Sequence, residues 1–156
     1  MKINIIKGIG TGPTELAAFD TALAVAGIAN QNLIYLSSVI PPASDIVYTK
    51  PSFSQADFGS KLYVVISEGR SSVPGHEMWV GIGWVQEATS KKGLFVEHHS
   101  DSKESLEVLI NSSLSHMMAS RKNDQWGEIQ MATEGTVCQD QPTSVLVAAV
   151  YQTVGW

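Results

Sequence analysis

Two adjacent serines, Ser37 and Ser38, stand where an apolar segment with the pattern of a β-strand meets two prolines. The segment runs Asn32-Leu-Ile-Tyr-Leu-Ser-Ser-Val-Ile-Pro-Pro42. A serine hydroxyl is a poor nucleophile towards an amide. Attack by either serine on a neighbouring peptide bond would need a strained backbone or a stabilised oxyanion. The two prolines restrict the chain and favour a fixed geometry at the serines. The dipeptide alone is unspecific, because it occurs twice more in the chain.

Other motifs that carry chemistry are incomplete. Gly8-Ile-Gly-Thr-Gly12 has the look of a phosphate-binding loop, but it lacks the Lys-Ser/Thr pair of a P-loop and the spacing of a dinucleotide fingerprint. His98 and His99 would point to opposite faces of a strand, with no third ligand at a sensible spacing. The nucleophile elbow Gly-x-Ser-x-Gly does not occur. The sequence therefore predicts neither a nucleotide site nor a metal site.

Composition sets the general class. The chain has 156 residues, of which 44% are hydrophobic and 16% charged, as in one globular domain. The low charged fraction and the four tryptophans favour an oligomer that covers part of this surface. A net charge of −5 without a Lys/Arg cluster predicts no nucleic-acid partner. No window approaches the roughly 18 apolar residues of a spanning helix, and Cys138 is the single cysteine. We therefore predict a cytoplasmic protein with no membrane partner.

Hydrophobic periodicity predicts one domain of mixed elements without internal repeats. A candidate N-cap at Thr14 precedes apolar residues at helical spacing. Strict alternation from Met78 to Val85 places Gly81 and Gly83 on one face, which indicates close approach of another layer. The predicted helices are 15–27 and 102–120, and the predicted strands are 2–7, 33–40, 61–67, 78–85, 93–98, 128–137 and 144–153. We expect an α+β fold, a layered αββα sandwich of two mainly antiparallel sheets with outer helices.

The serine segment belongs to a longer pattern. It starts upstream with Thr14-Glu-Leu-Ala-Ala-Phe-Asp20 and Ala26-Gly-Ile-Ala-Asn-Gln-Asn32, and it continues in Ile40-Pro-Pro42, Val73-Pro-Gly75 and Gly93-Leu-Phe-Val-Glu97. Together these motifs resemble the pyruvoyl-dependent arginine decarboxylases. The match touches the whole length and is strongest over 14–42.

The resemblance implies that the chain cleaves itself. The Ser38 hydroxyl would attack the carbonyl of Ser37 and convert the amide to an ester. β-Elimination and hydrolysis would then leave a pyruvoyl group at position 38 and release ammonia. The single decarboxylase domain 1–156 would become fragments 1–37 and 38–156, needing neither pyridoxal phosphate nor a metal. Asn32 matches the asparagine that positions the scissile segment, although on its own it is more simply a turn or strand-start residue.

The resemblance also implies roles in turnover. The pyruvoyl group would form a Schiff base with L-arginine, which would lose carbon dioxide and leave as agmatine. Glu97 matches the general acid, and partial burial would raise its pKa. Asp20 would receive the guanidinium through two parallel hydrogen bonds, beside Leu16 in the pocket wall. Because that aspartate serves a neighbouring subunit's site in the family, a homotrimer is implied. Without the resemblance, Glu97 is equally an exposed strand-end carboxylate, and Asp20 is more simply a surface residue of a helix.

Some positions depart from the family pattern. Glu97 is followed by His98-His99-Ser100. Positions 29 and 31, here Ala29 and Gln31, also differ from the small or aliphatic residues of the family pattern. These changes leave substrate preference open. Two alternatives therefore remain at this point: an uncleaved, non-catalytic relative that binds arginine-like ligands, and a decarboxylase of another amino acid.

Overall fold

The computed structural model describes residues 1–156 and contains two α-helices and nine β-strands. The helices are α1 (Glu15–Ala26) and α2 (Lys103–Ala119). The strands are β1 (Lys2–Thr11), β2 (Asn32–Tyr35), β3 (Val39–Ile40), β4 (Asp45–Val47), β5 (Lys61–Ser71), β6 (Glu77–Gln86), β7 (Gly93–Ser100), β8 (Gln130–Val137) and β9 (Thr143–Val154). No helix is both long and apolar enough to cross a membrane.

The strands form two sheets that pack face to face. The five-stranded sheet has the order β2-β5-β9-β1-β4, and the four-stranded sheet has the order β3-β7-β6-β8. Neighbours are antiparallel except β1 with β4 and β2 with β5. Helix α1 packs on the outside of the larger sheet and α2 on the outside of the smaller one. The predicted α+β fold, a layered αββα sandwich, is confirmed.

Three clusters of buried apolar side chains fill the spaces between the four layers. The central cluster lies between the sheets and includes Ile82, Phe95 and Val147, each fully shielded from solvent. A second cluster joins the buried face of α1 to the larger sheet, and a third joins α2 to the smaller sheet. Burial of these side chains is the main driving force for the layered arrangement.

Glycines allow α1 to lie directly on β1. A Cβ atom at Gly10 would stand 2.4 Å from the backbone nitrogen of Ala22, closer than any real contact. The glycine run that looked like a loop is therefore the end of a strand. On the other side of the molecule, a Cβ at Gly83 would meet Ile110 of α2 at 2.1 Å, which confirms the predicted close approach at that strand.

The prediction of one strand over 33–40 is wrong. β2 ends at Tyr35 in the larger sheet, and β3 begins at Val39 in the smaller one. Residues 36–38 carry the chain across the gap between the sheets. Ser38 has φ of 64°, a left-handed conformation that breaks strand geometry. An apolar pattern with period two does not reveal which sheet each half joins.

Other elements also differ from the prediction. β1 continues to Thr11 and β5 to Ser71, four residues beyond the predicted strand ends. The segment 43–60, where no helix or strand was predicted, contains β4 and a short 3₁₀ turn, Gln55–Asp57. Pairing with a distant strand stabilised these extended segments, and a local pattern does not carry that information.

Candidate active site

The serine pair occupies the crossing between the two sheets. Ser38 is buried at 9% exposure, whereas Ser37 is exposed. The carbonyl oxygen of Ser38 accepts a hydrogen bond from the backbone N–H of Phe95 at 2.8 Å. A left-handed φ in a residue with a side chain costs about 1 to 3 kcal/mol, and surrounding contacts must hold it. The segment around the two serines is therefore both strained and anchored.

Glu97 contacts the Ser38 hydroxyl directly. Ser38 Oγ donates a hydrogen bond to Glu97 Oε2 at 2.7 Å. Both residues reach this contact because β3 pairs with β7, with Val39 opposite Leu94. A carboxylate that accepts the hydroxyl proton is the arrangement needed to activate a serine nucleophile. The expected partial burial of Glu97 is wrong, since the residue is exposed in the single chain.

Tyr151 of β9 is a third member of this site that the sequence reasoning missed. Its hydroxyl donates to the carbonyl oxygen of Val39 at 2.9 Å. The ring is buried and meets Phe95 edge-on, with centroids 6.2 Å apart. Burial, and then the negative charge of Glu97, raise the pKa of Tyr151 far above its usual range. One available signal was a tyrosine closing an apolar strand, because a buried phenol needs a hydrogen-bond partner.

Asn32 lies apart from the serine pair. It is exposed at the start of β2, where its side chain donates to the carbonyl oxygen of Gly59 at 2.5 Å. Its backbone N–H donates to the carbonyl oxygen of Ser60 at 2.8 Å. Asn32 and Ser38 do not share a strand face, because the chain leaves the larger sheet between them. Asn32 instead fixes the start of the strand that leads to the serines.

Asp20 and Leu16 make no hydrogen bond or ion pair with the same chain's Ser38 or Glu97. Both are exposed on α1, and Leu16 is 70% exposed. Beside Asp20, the ring of Phe19 is covered by the Arg70 guanidinium, 3.8 Å from the ring centroid. The structure therefore brings together Ser38 and Glu97, but not the two residues expected to bind substrate.

Two cavities do not contain the serine–carboxylate pair. One of about 700 Å³ lies at the C-terminal end of α1, between 27–31 and 53–58. Another of about 360 Å³ is lined by Arg70, His76, Trp79 and His99. Neither includes Ser38 or Glu97, so within one chain these cavities do not enclose the serine–carboxylate pair.

The two histidines after Glu97 take opposite faces of β7, as the alternation predicts. His98 Nε2 lies 2.8 Å from Ser113 Oγ of α2. Burial lowers the pKa of His98, although the neighbouring charge of Glu97 opposes this shift. His99 is exposed, and Cys138 is buried. No group of three His, Cys, Asp or Glu side chains in the structure could hold a metal ion.

The fold and the site define a layered αββα protein with a serine–carboxylate pair at the crossing between its sheets. A family model described as pyruvoyl-dependent arginine decarboxylase matches residues 2–154. The chain therefore belongs to that family, which confirms the resemblance seen in the sequence. By its description the family depends on a covalent pyruvoyl group, and a serine at the crossing is the residue type that can yield one.

Curated relatives carry the same description. A pyruvoyl-dependent arginine decarboxylase of Halobacterium salinarum is 41% identical over 98 residues, covering 62% of this chain and 59% of the relative. One from Thermoplasma volcanium is 33% identical over 100 residues, covering 64% and 55%. Pyruvoyl-dependent arginine decarboxylase 2 of Archaeoglobus fulgidus is 24% identical over 151 residues, covering 96% and 95%. The chain thus spans little more than half of the first two relatives.

A solved structure of pyruvoyl-dependent histidine decarboxylase at pH 8 is also similar. It matches with a TM-score of 0.46 and 12% identity, covering 69% of this chain and 55% of the other.

Proposed function

We propose that this chain cleaves itself between Ser37 and Ser38 into fragments 1–37 and 38–156, and then decarboxylates L-arginine to agmatine and carbon dioxide. The observation that carries the proposal is the hydrogen bond from Ser38 Oγ to Glu97, at a left-handed residue. Membership of the family supports the same chemistry.

Cleavage begins with transfer of the Ser38 hydroxyl proton to Glu97. The freed oxygen attacks the carbonyl carbon of Ser37, and the Ser37–Ser38 amide becomes an ester with a free amino group at residue 38. Loss of the α-proton of residue 38 then expels the Ser37 carboxylate and leaves dehydroalanine. Water hydrolyses this product to the pyruvoyl group and ammonia. Relief of the left-handed strain at residue 38 favours the forward direction.

In turnover, a pyruvoyl group at residue 38 would supply the electron sink for loss of carbon dioxide from the substrate. Glu97 is the proton donor to the carbon that loses the carboxyl group. The backbone N–H of Phe95 donates to the carbonyl oxygen of residue 38, which would be conjugated with the ketone of a pyruvoyl group. This donor would draw electron density from the ketone and strengthen the sink. Asn32 acts at a distance, as an anchor of the strand before the cleavage site.

Substrate selection involves more than one subunit in this proposal. Asp20 and Leu16 are exposed on α1 and make no contact with the same chain's Ser38. In a homotrimer they would complete the site of a neighbouring protomer. A carboxylate there binds the planar guanidinium of arginine through two parallel hydrogen bonds, which lysine and ornithine cannot reproduce.

Intact mass under denaturing conditions tests the first half of the proposal. We expect two fragments divided after Ser37, and the larger should begin with a pyruvoyl group. A single mass near 16.8 kDa in active or inactive protein would contradict self-cleavage and favour the uncleaved, ligand-binding alternative.

Carbon dioxide release tests the second half. We expect release from arginine and little from lysine, ornithine or histidine, without added pyridoxal phosphate and after dialysis against a metal chelator. Preference for another amino acid would leave the cleavage chemistry standing and replace arginine as the substrate.

A further inference from the structure

We propose that the Tyr151 hydroxyl is a positioning group for self-cleavage, which holds the backbone after Ser38 in its reactive conformation. This inference rests on the proposed function. It assigns a role to a residue outside the serine motif, on a strand more than a hundred residues further along the chain. Tyr151 acts through the Val39 carbonyl and does not touch the reacting atoms.

Two hydrogen bonds fix successive carbonyl groups on the C-terminal side of the scissile bond. The backbone N–H of Phe95 donates to Ser38, and Tyr151 Oη donates to Val39. Together they set the orientation of the two peptide groups that follow the scissile bond. Rotation of Ser38 from its left-handed φ to an ordinary one would move at least one of these carbonyl oxygens off its donor.

The surroundings of Tyr151 suit a fixed donor. The residue is 9% exposed, and its ring packs edge-on against Phe95, the residue whose N–H makes the other bond. Burial and the charge of Glu97 raise its pKa, so the phenol stays protonated and donates at any working pH. In this apolar setting the hydrogen bond is stronger than it would be in water.

Loss of the Tyr151 hydroxyl should therefore weaken the constraint on the Ser38 backbone without leaving a cavity in the core. In a Tyr151→Phe variant the ring remains, but the Val39 carbonyl loses its buried partner. Ser38 can then relax towards a right-handed φ, and its hydroxyl leaves the attacking position for part of the time. We expect cleavage to slow by about 10-fold, which corresponds to about 1.4 kcal/mol in the activation barrier.

The experiment follows newly synthesised full-length chain by pulse-chase in a cell-free system, with intact mass as the readout. Wild type, Tyr151→Phe and Tyr63→Phe are compared from about pH 6 to about pH 9. Tyr63 is a matched control, because it packs against the same central cluster and its hydroxyl makes no hydrogen bond. Thermal unfolding of each chain, made uncleavable by Ser38→Ala, reports whether the fold is kept.

The expected result is slower cleavage in Tyr151→Phe alone, by a similar factor at every pH, with a melting temperature close to that of the parent. Cleavage at the wild-type rate in Tyr151→Phe would overturn the inference. A changed shape of the pH profile would also overturn it, because the phenol would then transfer a proton. An uncleaved wild type would instead count against the proposed function itself.

Discussion

The Ser38 hydroxyl and the Glu97 carboxylate belong to residues 59 positions apart in sequence, yet they are in direct contact. That contact is the basis of the distinct roles proposed for them. In the proposed cleavage, Ser38 would supply the attacking oxygen and Glu97 would take its proton. Ser37 differs from its neighbour, since its side chain is exposed and makes no hydrogen bond, and only its carbonyl group would take part in the proposed cleavage.

The two serines should therefore respond differently to substitution. Ser38→Ala removes the nucleophile, so we expect no cleavage at all, as measured by intact mass after long incubation. Ser37→Ala is the matched control and should still cleave, because its carbonyl carbon remains. Cleavage of the Ser38→Ala chain at the same bond would refute the assignment of the nucleophile.

Glu97→Gln keeps the size of the side chain and removes its ability to take or give a proton. We expect slower self-cleavage and a loss of at least about 100-fold in turnover per cleaved protomer, the usual contribution of acid–base catalysis. Carbon dioxide release, normalised to the cleaved fraction by mass spectrometry, is the measurement. Wild-type turnover of cleaved Glu97→Gln would remove Glu97 from the mechanism.

At this scale the sequence predicted part of the site. Similarity to a known pattern connected Ser38 with Glu97, because both stand in recognisable motifs. Tyr151 carried no such motif, and its partner is a backbone carbonyl, which leaves no trace in side-chain types. The prediction that Glu97 is partly buried was wrong, because an apolar run does not determine whether the residue after it is still covered by the neighbouring layer.

At the scale of the elements, α1 packs closely on β1 because glycines of β1, such as Gly10, have no side chain on the face that meets the helix. Gly10→Ala would place a methyl group against the helix backbone at Ala22. We expect this variant to lower the free energy of unfolding by about 1 to 3 kcal/mol or more, as measured by denaturant titration. Gly155→Ala is the control, because nothing lies within 4 Å of its added methyl group. Equal stability of the two variants would contradict this account.

His98 of β7 contacts Ser113 of α2, and we expect its contribution to the stability of the fold to depend on pH. Burial lowers the pKa of His98, so the unfolded chain binds its proton more readily than the folded one. Its contribution to stability is present above the unfolded pKa of about 6.5 and is lost as the pH falls below it. We expect His98→Gln to lose less melting temperature than wild type between about pH 7.5 and about pH 5.5. An exposed control, His116→Gln, should behave as wild type, and an unchanged pH dependence in His98→Gln would refute this role.

Most elements were predictable because amphipathic helices and buried strands leave strong periodic patterns. For example, Thr14 caps α1 as expected, because its Oγ1 accepts a hydrogen bond from the backbone N–H of Ala17 at 3.1 Å. The break between β2 and β3 was not predictable, since both halves are apolar and the difference lies in which distant strand each one pairs with. β4 was missed for the same reason.

For the whole molecule, the absence of any contact between Asp20 and Ser38 of one chain is the feature on which the proposed second subunit rests. We expect Asp20→Ala to cleave normally but to show a raised KM for arginine. Co-expression with Ser38→Ala should restore activity above that of either variant alone, because each chain then supplies what the other lacks in a shared site. Sedimentation should give a trimer. Failure of the mixed oligomers to regain activity would place Asp20 outside the neighbouring site.

The crossing between the sheets has one more consequence. A cut at this position would leave its two new ends attached to different sheets, while the short fragment still contributes β1, which lies between β9 and β4. Such a cut acts as a nick in an intact scaffold and does not divide the protein. The two pieces should travel together through any native separation and come apart only when the scaffold is melted.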